Sequence, residues 1–371
     1  MATHSLSRRH LIAGALAFPF IRRASAATLK SAFRIGQSSA LTGPQAPFGT
    51  QMRAGAALLI AHTNAAGGVR GKPLEFLSLD DAGDENKTRD NTWTLLNQGC
   101  DVLVGYTTRP CCVAGAEMAN KAQVPFVGPF SGTPALYRND GTTFTVRASY
   151  DDELAAIVNH LAPLGYDDIA FVYLNDAAKV NLPLMEKNLA RHQLKLRTAI
   201  GVDRNSREAA KQAQALLASK PKAIVALANN LPLTELIRQT KPQLPATTWH
   251  IISFIDGEKL VADLQQLASG LVLSQVVPVP QKLSQMVVAE FRRLWDKTYP
   301  GVPPTPTALE GYVAARTMVA GLQANPDKPL AGLEAVSMDL GSHLVKFGAG
   351  RHNGSTYVNL AILRRGGTLL D

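Results

Sequence analysis

One pattern occurs twice in succession between residues 101 and 134: a short apolar strand, a polar loop that carries hydroxyl groups, and the start of a helix. Val102–Val104 and Val124–Val127 are the two strands, and Pro110 and Pro134 fall where the first turn of each helix is expected. Proline suits that turn because an N–H group there has no helical partner. In an open parallel sheet a ligand binds outside the carboxyl ends of the strands. Helix N-termini carry free N–H groups and a partial positive charge, so the pattern favours an anionic ligand.

The same alternation of strands and helices extends through most of the chain. It begins with a strand at Phe33–Ser38 and a helix at about 50–66, and it resumes after residue 148 in a second unit. Strands that alternate with helices predict parallel sheets, so the expected fold class is α/β, with parallel central sheets flanked by helices. Beyond Val277 the pattern changes to two long helices, followed by short strands around a glycine-rich hairpin at 348–354.

The first 26 residues have the features of an export signal. Arg8-Arg9 precedes an apolar run from Leu11 to Ile21, which is too short to span a bilayer. Arg22-Arg23 and the small residues Ala24-Ser25-Ala26 follow this run. We therefore expect residues 1–26 to be a twin-arginine-type signal peptide, cut after Ala26 or Ala27. A retained N-terminal anchor is the alternative.

The composition is that of an ordinary globular protein, with 46% hydrophobic and 18% charged residues among 371. A chain of this length predicts two or three domains. Removal of residues 1–26 would take away four of the 38 basic residues and none of the 29 acidic ones, which leaves a net charge of +5. The sequence contains no run of lysine and arginine, so we expect no nucleic-acid partner.

The three cysteines, Cys100, Cys111 and Cys112, are an odd number for an exported protein. We expect three small buried side chains. A disulfide between Cys111 and either Cys112 or Cys100 is an open alternative. No spacing of cysteine and histidine matches a zinc site, and Asp80, Asp81 and Asp84 do not have the spacing of an EF-hand calcium loop. We therefore expect no metal and no other cofactor.

Several longer segments resemble the periplasmic binding proteins of branched-chain amino-acid-type ABC importers, and together they cover nearly all of the chain after residue 26. The family's first strand, ligand loop, helix and second strand are similar to ALTGPQAPFGTQMRAGAALLIAHTNAAGGVRGKPLEFLSLDDAGD. Its second ligand loop is similar to VPFVGPFSGTPAL. The segment in which the family's chain crosses into the second lobe is similar to RASYDDELAAIV. Its late helix and hairpin are similar to LEGYVAAR and FGAGRHNGS.

The resemblance implies two Rossmann-like α/β lobes that are joined by three crossover hinge strands and close around a ligand. On this basis the first lobe comprises residues 28–147 and 278–338, and the second comprises 148–277 and 339–371. The late helices then return to the first lobe, whereas the closing hairpin belongs to the second.

The resemblance also implies which parts of the first lobe hold the ligand: an aromatic wall before the first helix and the loops after the third and fourth strands. These candidate ligand-binding residues are Phe48, Tyr106, Thr107, Thr108, Arg109, Phe130, Ser131, Gly132 and Thr133. The hydroxyl groups are also placed to cap their own helices, and Phe48 is equally suited to a core.

In the second lobe the implied candidates lie at the crossover and after three strands. They are Tyr150, Asp176, Ala178, Asn229, Asn230, Asp256 and Glu258. The family commonly has an aromatic residue and glycine after the first strand of this lobe, so Ala178 leaves more room. A carboxylate near residues 254–258 often receives the ligand ammonium in the family. Helix capping is the alternative for both acids, and hinge packing is the alternative for Tyr150.

Arg109 departs from the family, which usually has a small hydroxyl residue at this position. A guanidinium beside Pro110 would add a full charge and a two-pronged donor to a helix end that already favours anions. We therefore hypothesise that Arg109 binds the carboxylate of the ligand. The alternative is that Arg109 pairs with a surface acid such as Asp81 or Asp84.

The expected function is that of an extracytoplasmic solute-binding receptor of an ABC importer. It would capture a small organic carboxylate, either an amino acid or an aromatic or other organic acid, and deliver it to permease subunits in the membrane. We expect a periplasmic monomer. Ligand sensing for a signalling receptor and enzyme activity in the same cleft are the alternatives. Against an enzyme, no serine stands at a recognisable nucleophile elbow. His62, His160, His192 and His250 fall in helix or strand patterns, which are typical of structural histidines.

Overall fold

The structure is a computed structural model that describes Met1, residues 31–364 and residues 369–370. Apart from Met1, the expected signal peptide lies outside the described residues. In the part of the chain that the structure describes, no helix is both long enough and apolar enough to cross a membrane.

Five parallel strands form the sheet of the first lobe: β1 (Phe33–Ser39), β2 (Leu74–Asp80), β3 (Val102–Val104), β4 (Phe126–Val127) and β5 (Thr143–Phe144). Their spatial order is β2-β1-β3-β4-β5. The helices between them are α1 (Ala46–Ala65), α2 (Glu85–Asn97) and α3 (Arg109–Ala122). Strand β3 is fully buried, as expected for a parallel sheet that is covered on both faces.

The second lobe repeats this arrangement. Its parallel strands are β6 (Ile169–Leu174), β7 (Leu196–Val202), β8 (Ala223–Leu227), β9 (Thr248–Ile251) and β10 (Val272–Gln275). Its helices are α4 (Tyr150–Leu161), α5 (Ala178–Ala190), α6 (Ala210–Ser219), α7 (Asn230–Thr240) and α8 (Gly257–Leu264). Helix α4 begins directly at the crossover because Ser149 and Asp152 form a capping box.

After β10 the chain returns to the first lobe with α9 (Met286–Thr298), α10 (Pro306–Ala324) and α11 (Pro329–Glu334). Phe291, Trp295 and Tyr312 pack in the same core as Ile35 of β1. Helices α1 and α10 approach so closely that a Cβ atom on Gly55 would lie 1.8 Å from the carbonyl oxygen of Ala308.

The sequence predicts a hairpin of the second lobe around the glycine-rich stretch at 348–354, but the strand before this stretch packs in the first lobe and the strand after it joins the second sheet. Strands β11 (Ser337–Asp339) and β12 (Leu344–Lys346) pair with each other in an antiparallel sheet. The side chains of Val345 and Phe347 are buried in the core of the first lobe, and the Phe347 ring lies edge-on to Phe144 at 5.1 Å between centroids. The apolar side chains of the hairpin thus cover the end of the first sheet.

The chain then joins the second sheet with β13 (Asn359–Leu363) and β14 (Leu369–Leu370). Strand β13 pairs antiparallel with β10, and the sheet order becomes β14-β13-β10-β9-β8-β6-β7. The chain therefore passes between the two sheets three times, after β5, β10 and β12. The predicted α/β fold class, with parallel sheets flanked by helices and three crossovers, is confirmed.

Two helix starts differ from the sequence prediction. Helix α1 begins at Ala46, four residues earlier than expected, because Pro47 is accommodated in its first turn. The second repeated unit ends in a single 3₁₀ turn at Pro134–Leu136, where the sequence predicts a longer helix.

Candidate functional site: the cleft between the lobes

The strand order reverses between β1 and β3 in the first sheet and between β6 and β8 in the second. Ligand crevices form at such reversals, outside the carboxyl ends of the strands. Two cavities lie between the lobes, and each is lined by residues of both lobes.

The first, which we call the arginine cavity, has a volume of about 270 Å³. Pro44, Gln45, Pro47 and Phe48 line it from the first lobe. From the second lobe it is lined by Arg204, Asn205, Asn229, Asn230, Leu231, Asp256 and Lys259.

The second, which we call the glutamate cavity, has a volume of about 130 Å³ and lies closer to the late crossovers. Its polar lining includes Gln51, Thr305 and Glu310 from the first lobe. Ser253, Asp256, Glu258 and Gln275 line it from the second lobe. Phe48 and Asp256 line both cavities, which are therefore adjacent.

An aromatic cluster joins the lobes beside these cavities. Phe254 of the second lobe stacks on Phe48 of the first, with 5.1 Å between ring centroids. Phe130 lies 5.3 Å from Phe48 and 5.7 Å from Phe254. Phe48 and Phe130 thus line the cleft, while they also pack in a core that is shared between the lobes.

The side chains of Tyr106 and Thr107 lie in the interior of the first lobe, which corrects the expectation that they line the cleft. The Tyr106 hydroxyl shares a hydrogen bond of 3.0 Å with Thr92, and Thr107 Oγ1 lies 3.0 Å from Ser39 Oγ. Both residues are fully buried, and neither lines the arginine cavity or the glutamate cavity. Strand pairing continues past β3 through Thr107 and Phe130, so these side chains stay within the layers of the sheet.

Thr108 and Arg109 form the turn into α3. Thr108 has φ of +66°, a left-handed backbone conformation that threonine rarely adopts, and its side chain does not cap the helix. Strained turns of this kind cluster at ligand sites.

The side chain of Arg109 reaches across to the second lobe. Its Nη2 donates to the carbonyl oxygen of Asp176 at 3.4 Å and lies 4.0 Å from the Asp176 carboxylate. The acid beside Arg109 is thus Asp176, in place of the suggested Asp81 or Asp84, and neither Arg109 nor Asp176 lines the two cavities. Asp81 is buried and accepts hydrogen bonds from Ser38 and Thr88.

Arg204 is a residue of the cleft that sequence reasoning missed. It donates to the Asp176 carboxylate at 2.8 Å and 3.0 Å, and to Asn229 Oδ1 at 3.2 Å. Because Asn229 accepts from Arg204, its side chain does not cap α7. Asn205 and Arg204 follow a strand in the sequence, but nothing in their local pattern indicates a ligand loop.

The loop after β4 lies against the crossover. The Tyr150 N–H donates to the Gly132 carbonyl at 2.8 Å, and the Tyr150 hydroxyl lies 3.4 Å from Ser131 Oγ. A Cβ atom on Gly132 would lie 2.4 Å from the Tyr150 ring, so glycine is required there. Ser131, Gly132, Thr133 and Tyr150 line neither cavity, and Ser131 and Gly132 instead pack against Tyr150 at the crossover.

The remaining candidates of the second lobe lie at helix N-termini. Asp256 caps α8 by accepting from the Lys259 N–H at 3.0 Å, and its backbone exchanges two hydrogen bonds with the Asn230 side chain. Glu258 is in the first turn of α8. Both acids also line the glutamate cavity, so capping and a cleft position coincide for Asp256. Ala178 begins α5 and lines neither cavity.

Sequence reasoning also missed a buried charge cluster at the hinge, formed by Arg147, Glu153 and Glu310. Arg147 lies on the first crossover, Glu153 on α4 and Glu310 on α10. Both carboxylates lie 3.5 Å from the guanidinium, which also packs on the Phe130 ring. Burial raises the pKa of Glu310 to about 7, although the charge of Arg147 opposes the rise. The sequence feature that could have indicated this cluster is a charged residue inside an otherwise apolar run, as Glu310 is in LEGYVAA.

The three cysteines are buried and free in the structure, so the expectation of small buried side chains is confirmed. Among the described residues, no group of three or more histidine, cysteine or acidic side chains is arranged to hold a metal ion.

Two α/β lobes with a shared cleft and hinge crossovers define the class of two-lobed solute-binding proteins. A sequence profile described as "Periplasmic binding protein" matches residues 32–368, and the chain belongs to that family.

Comparison with solved structures agrees with this assignment. A possible leucine/isoleucine/valine-binding protein from Rhodopirellula baltica superposes with a TM-score of 0.85 and 26% identity, over 93% of this chain and 98% of that one. A solute-binding protein from R. palustris, solved with benzoate, has a TM-score of 0.79 and 19% identity, over 91% of this chain and 95% of that one. The second likeness supports the fold alone.

Curated relatives match over a shorter stretch. The Leu/Ile/Val-binding protein of Escherichia coli K12 is 26% identical over 132 residues, which are 36% of this chain and 35% of that protein. The chain thus matches about a third of the length of this relative.

Proposed function

We propose that the protein is the extracytoplasmic solute receptor of an ABC importer, and that it captures a small organic carboxylate by hinge closure. The observation that carries the proposal is the arginine cavity, which both lobes line at the carboxyl ends of their strands. Arg204, Lys259 and the uncapped N-terminus of α7 lie together on its second-lobe side. Guanidinium groups and helix N-termini are strong donors to carboxylates.

The surroundings of Arg204 support a specific role in recognition. Asp176 and Asn229 hold the guanidinium in a fixed orientation, which reduces the entropy lost when a ligand binds. The ligands named for the relatives are leucine, isoleucine and valine, and one solved neighbour holds benzoate. All of these are carboxylates, so an amino acid or an aromatic or other organic acid is the ligand class that we propose.

The same proposal covers partners and location. The neighbours are binding proteins, which supports binding rather than catalysis. We infer that the protein acts in the periplasm as a monomer and delivers its solute to membrane permease subunits.

A thermal-shift screen of the mature protein tests the ligand class. It should contain amino acids, aromatic acids and short carboxylates, each beside its neutral amide, such as benzoate beside benzamide. We expect at least one acid to raise the melting temperature and its amide to fail, because the amide lacks the charge that Arg204 and α7 favour. Equal binding of acid and amide would exclude carboxylate recognition, and binding by no acid would argue against the receptor function.

A further inference from the structure

We propose that closure of the lobes takes up a proton at the hinge charge cluster of Arg147, Glu153 and Glu310, so that the cleft closes more readily as the pH falls. This inference rests on the proposed function, because it concerns the closing motion by which the protein would capture its solute. It gives the hinge charge cluster a part in closure itself, in addition to its packing at the crossover.

The hinge charge cluster has members in both lobes and on the chain between them. Glu310 is on α10 of the first lobe, Glu153 is on α4 of the second, and Arg147 is on the first crossover. All three residues are at most 2% exposed. Glu310 also lines the glutamate cavity together with residues of the second lobe, so separation of the lobes admits water beside its side chain.

The cluster contains one positive group for two carboxylates. Each carboxylate lies 3.5 Å from the Arg147 guanidinium, so both share its single charge. With Glu153 and Glu310 both ionised, one positive and two negative charges would leave the buried cluster with an uncompensated negative charge. Such a charge is costly away from water, and one proton removes it.

The hydrogen bonds indicate that Glu310 is the acid that takes the proton. Glu153 accepts from the Ser253 N–H at 2.7 Å, from the Ser253 hydroxyl at 2.9 Å and from the Ser274 hydroxyl. Donors of this kind stabilise the ionised form of an acid. The Oε1 atom of Glu310 accepts no hydrogen bond within the described residues. Burial raises the pKa of Glu310 to about 7 against the opposing charge of Arg147, which agrees with this assignment.

The other titratable groups around Glu310 supply no compensating positive charge. Asp256 and Glu258 line the same cavity from the start of α8, and no lysine, arginine or histidine is among its described lining residues. Tyr137 is neutral, because burial raises its pKa and its hydroxyl donates to the Arg147 carbonyl. Partial burial and the neighbouring Asp256 raise the pKa of Glu258, so this second acid changes the pH dependence in the same direction.

The sign of the pH effect follows from the difference between the open and closed arrangements. In the open arrangement water reaches the Glu310 carboxyl, so its pKa returns toward the ordinary value of 4.5. Between about pH 4.5 and pH 7 closure therefore takes up a proton, and each unit rise in pH disfavours closure by at most about tenfold. Above this window the carboxyl is ionised in both arrangements, so the effect levels off.

Small-angle scattering of the unliganded protein, at constant ionic strength from about pH 5 to about pH 8.5, tests this inference with the proton as the only ligand. The radius of gyration of the wild type should rise with pH and level off above about pH 7. Glu310→Gln should keep the smaller radius throughout, because glutamine does not ionise. Glu186→Gln, an exposed change on α5, removes the same charge and should titrate as the wild type does.

Glu153→Gln gives a second test, which keeps the inference falsifiable if Glu310→Gln folds poorly. It leaves the guanidinium to Glu310 alone, so Glu310 ionises more readily and the rise in radius should move to lower pH by at least about one unit. A wild-type radius that does not change with pH, or a wild-type titration in both Glu310→Gln and Glu153→Gln, would overturn the inference. If a carboxylate from the screen binds while the radius is insensitive to pH, the receptor function stands and only the proton uptake fails.

Discussion

Arg109 stands at the N-terminus of α3 and also touches the second lobe through Asp176. Because Arg204 already donates to the Asp176 carboxylate, N–H groups of Arg109 remain available to donate to a ligand. We predict that Arg109→Met weakens binding of the carboxylate found in the screen at least tenfold, as expected for a lost charge-assisted pair. Calorimetry on the purified protein measures this directly.

Arg197→Met is the matched control, because this exposed arginine at the start of β7 lines neither cavity. It should bind the same carboxylate as tightly as the wild type. If Arg109→Met also binds as tightly as the wild type, Arg109 does not contact the ligand.

Because the Glu310 carboxyl is buried, we also predict that folding stability depends on pH. Burial raises the pKa of its carboxyl from 4.5 to about 7, so the folded state keeps a proton that the unfolded state loses between these values. Stability should therefore fall as pH rises through this window, and the contribution should level off above it, with a total of about 1–3 kcal/mol. Chemical denaturation at several pH values should show this fall in the wild type and a smaller one in Glu310→Gln. Identical slopes in the two proteins would contradict the assignment.

The sequence allows some of these residues to be predicted and not others. Phe48 and Phe130 could be identified because the resemblance to the family covers the segments that contain them. Glu310 and Arg204 meet partners that are distant in the chain, namely Arg147 and Asp176, and such pairs depend on how the helices and strands pack. Tyr106 was placed wrongly because local pattern does not indicate on which side of a sheet a side chain lies once pairing continues past the strand.

The contact between helices α1 and α10 depends on two glycines. A Cβ atom on Gly55 would lie 1.8 Å from the Ala308 carbonyl oxygen, and one on Gly311 would lie 2.2 Å from that of Met52. Since both obstacles are backbone atoms, alanine at either position must push the helices apart. We predict that Gly55→Ala destabilises the protein by at least about 2 kcal/mol, measured by urea denaturation.

Gly348→Ala is the matched control for this prediction, because a Cβ atom there meets no atom within 4 Å. It should change stability by less than about 0.5 kcal/mol. A Gly55→Ala variant as stable as Gly348→Ala would show that the two helices separate at little cost.

Most elements could be predicted because short apolar runs and helical spacing are local signals. Strands β1 and β3 lie where the sequence predicts them, within a residue at each end. Residues 344–347 were assigned to the second lobe, because their apolar side chains indicate burial without indicating which sheet they cover. The contact of Phe347 with Phe144 joins residues about two hundred positions apart, which no local pattern predicts.

Phe254 links the two lobes. Its ring stacks on Phe48 and lies against Phe130, so separation of the lobes would expose this aromatic cluster to water. Burial of such a ring contributes roughly 1.5–3 kcal/mol, and the interlobe part of this energy favours the closed arrangement. A ligand that contacts both lobes would favour the same arrangement.

We therefore predict that saturating ligand lowers the radius of gyration of the wild-type protein in small-angle scattering. Phe254→Ala should give a larger radius without ligand and bind the ligand about tenfold more weakly, because closure then buries less apolar surface. Trp93→Ala is the control, since this aromatic residue lies exposed on α2 away from the cleft and should leave both quantities unchanged. If ligand leaves the wild-type radius unchanged, the lobes do not close on it. If Phe254→Ala matches the wild type in both measurements, the aromatic cluster does not set the balance between open and closed arrangements.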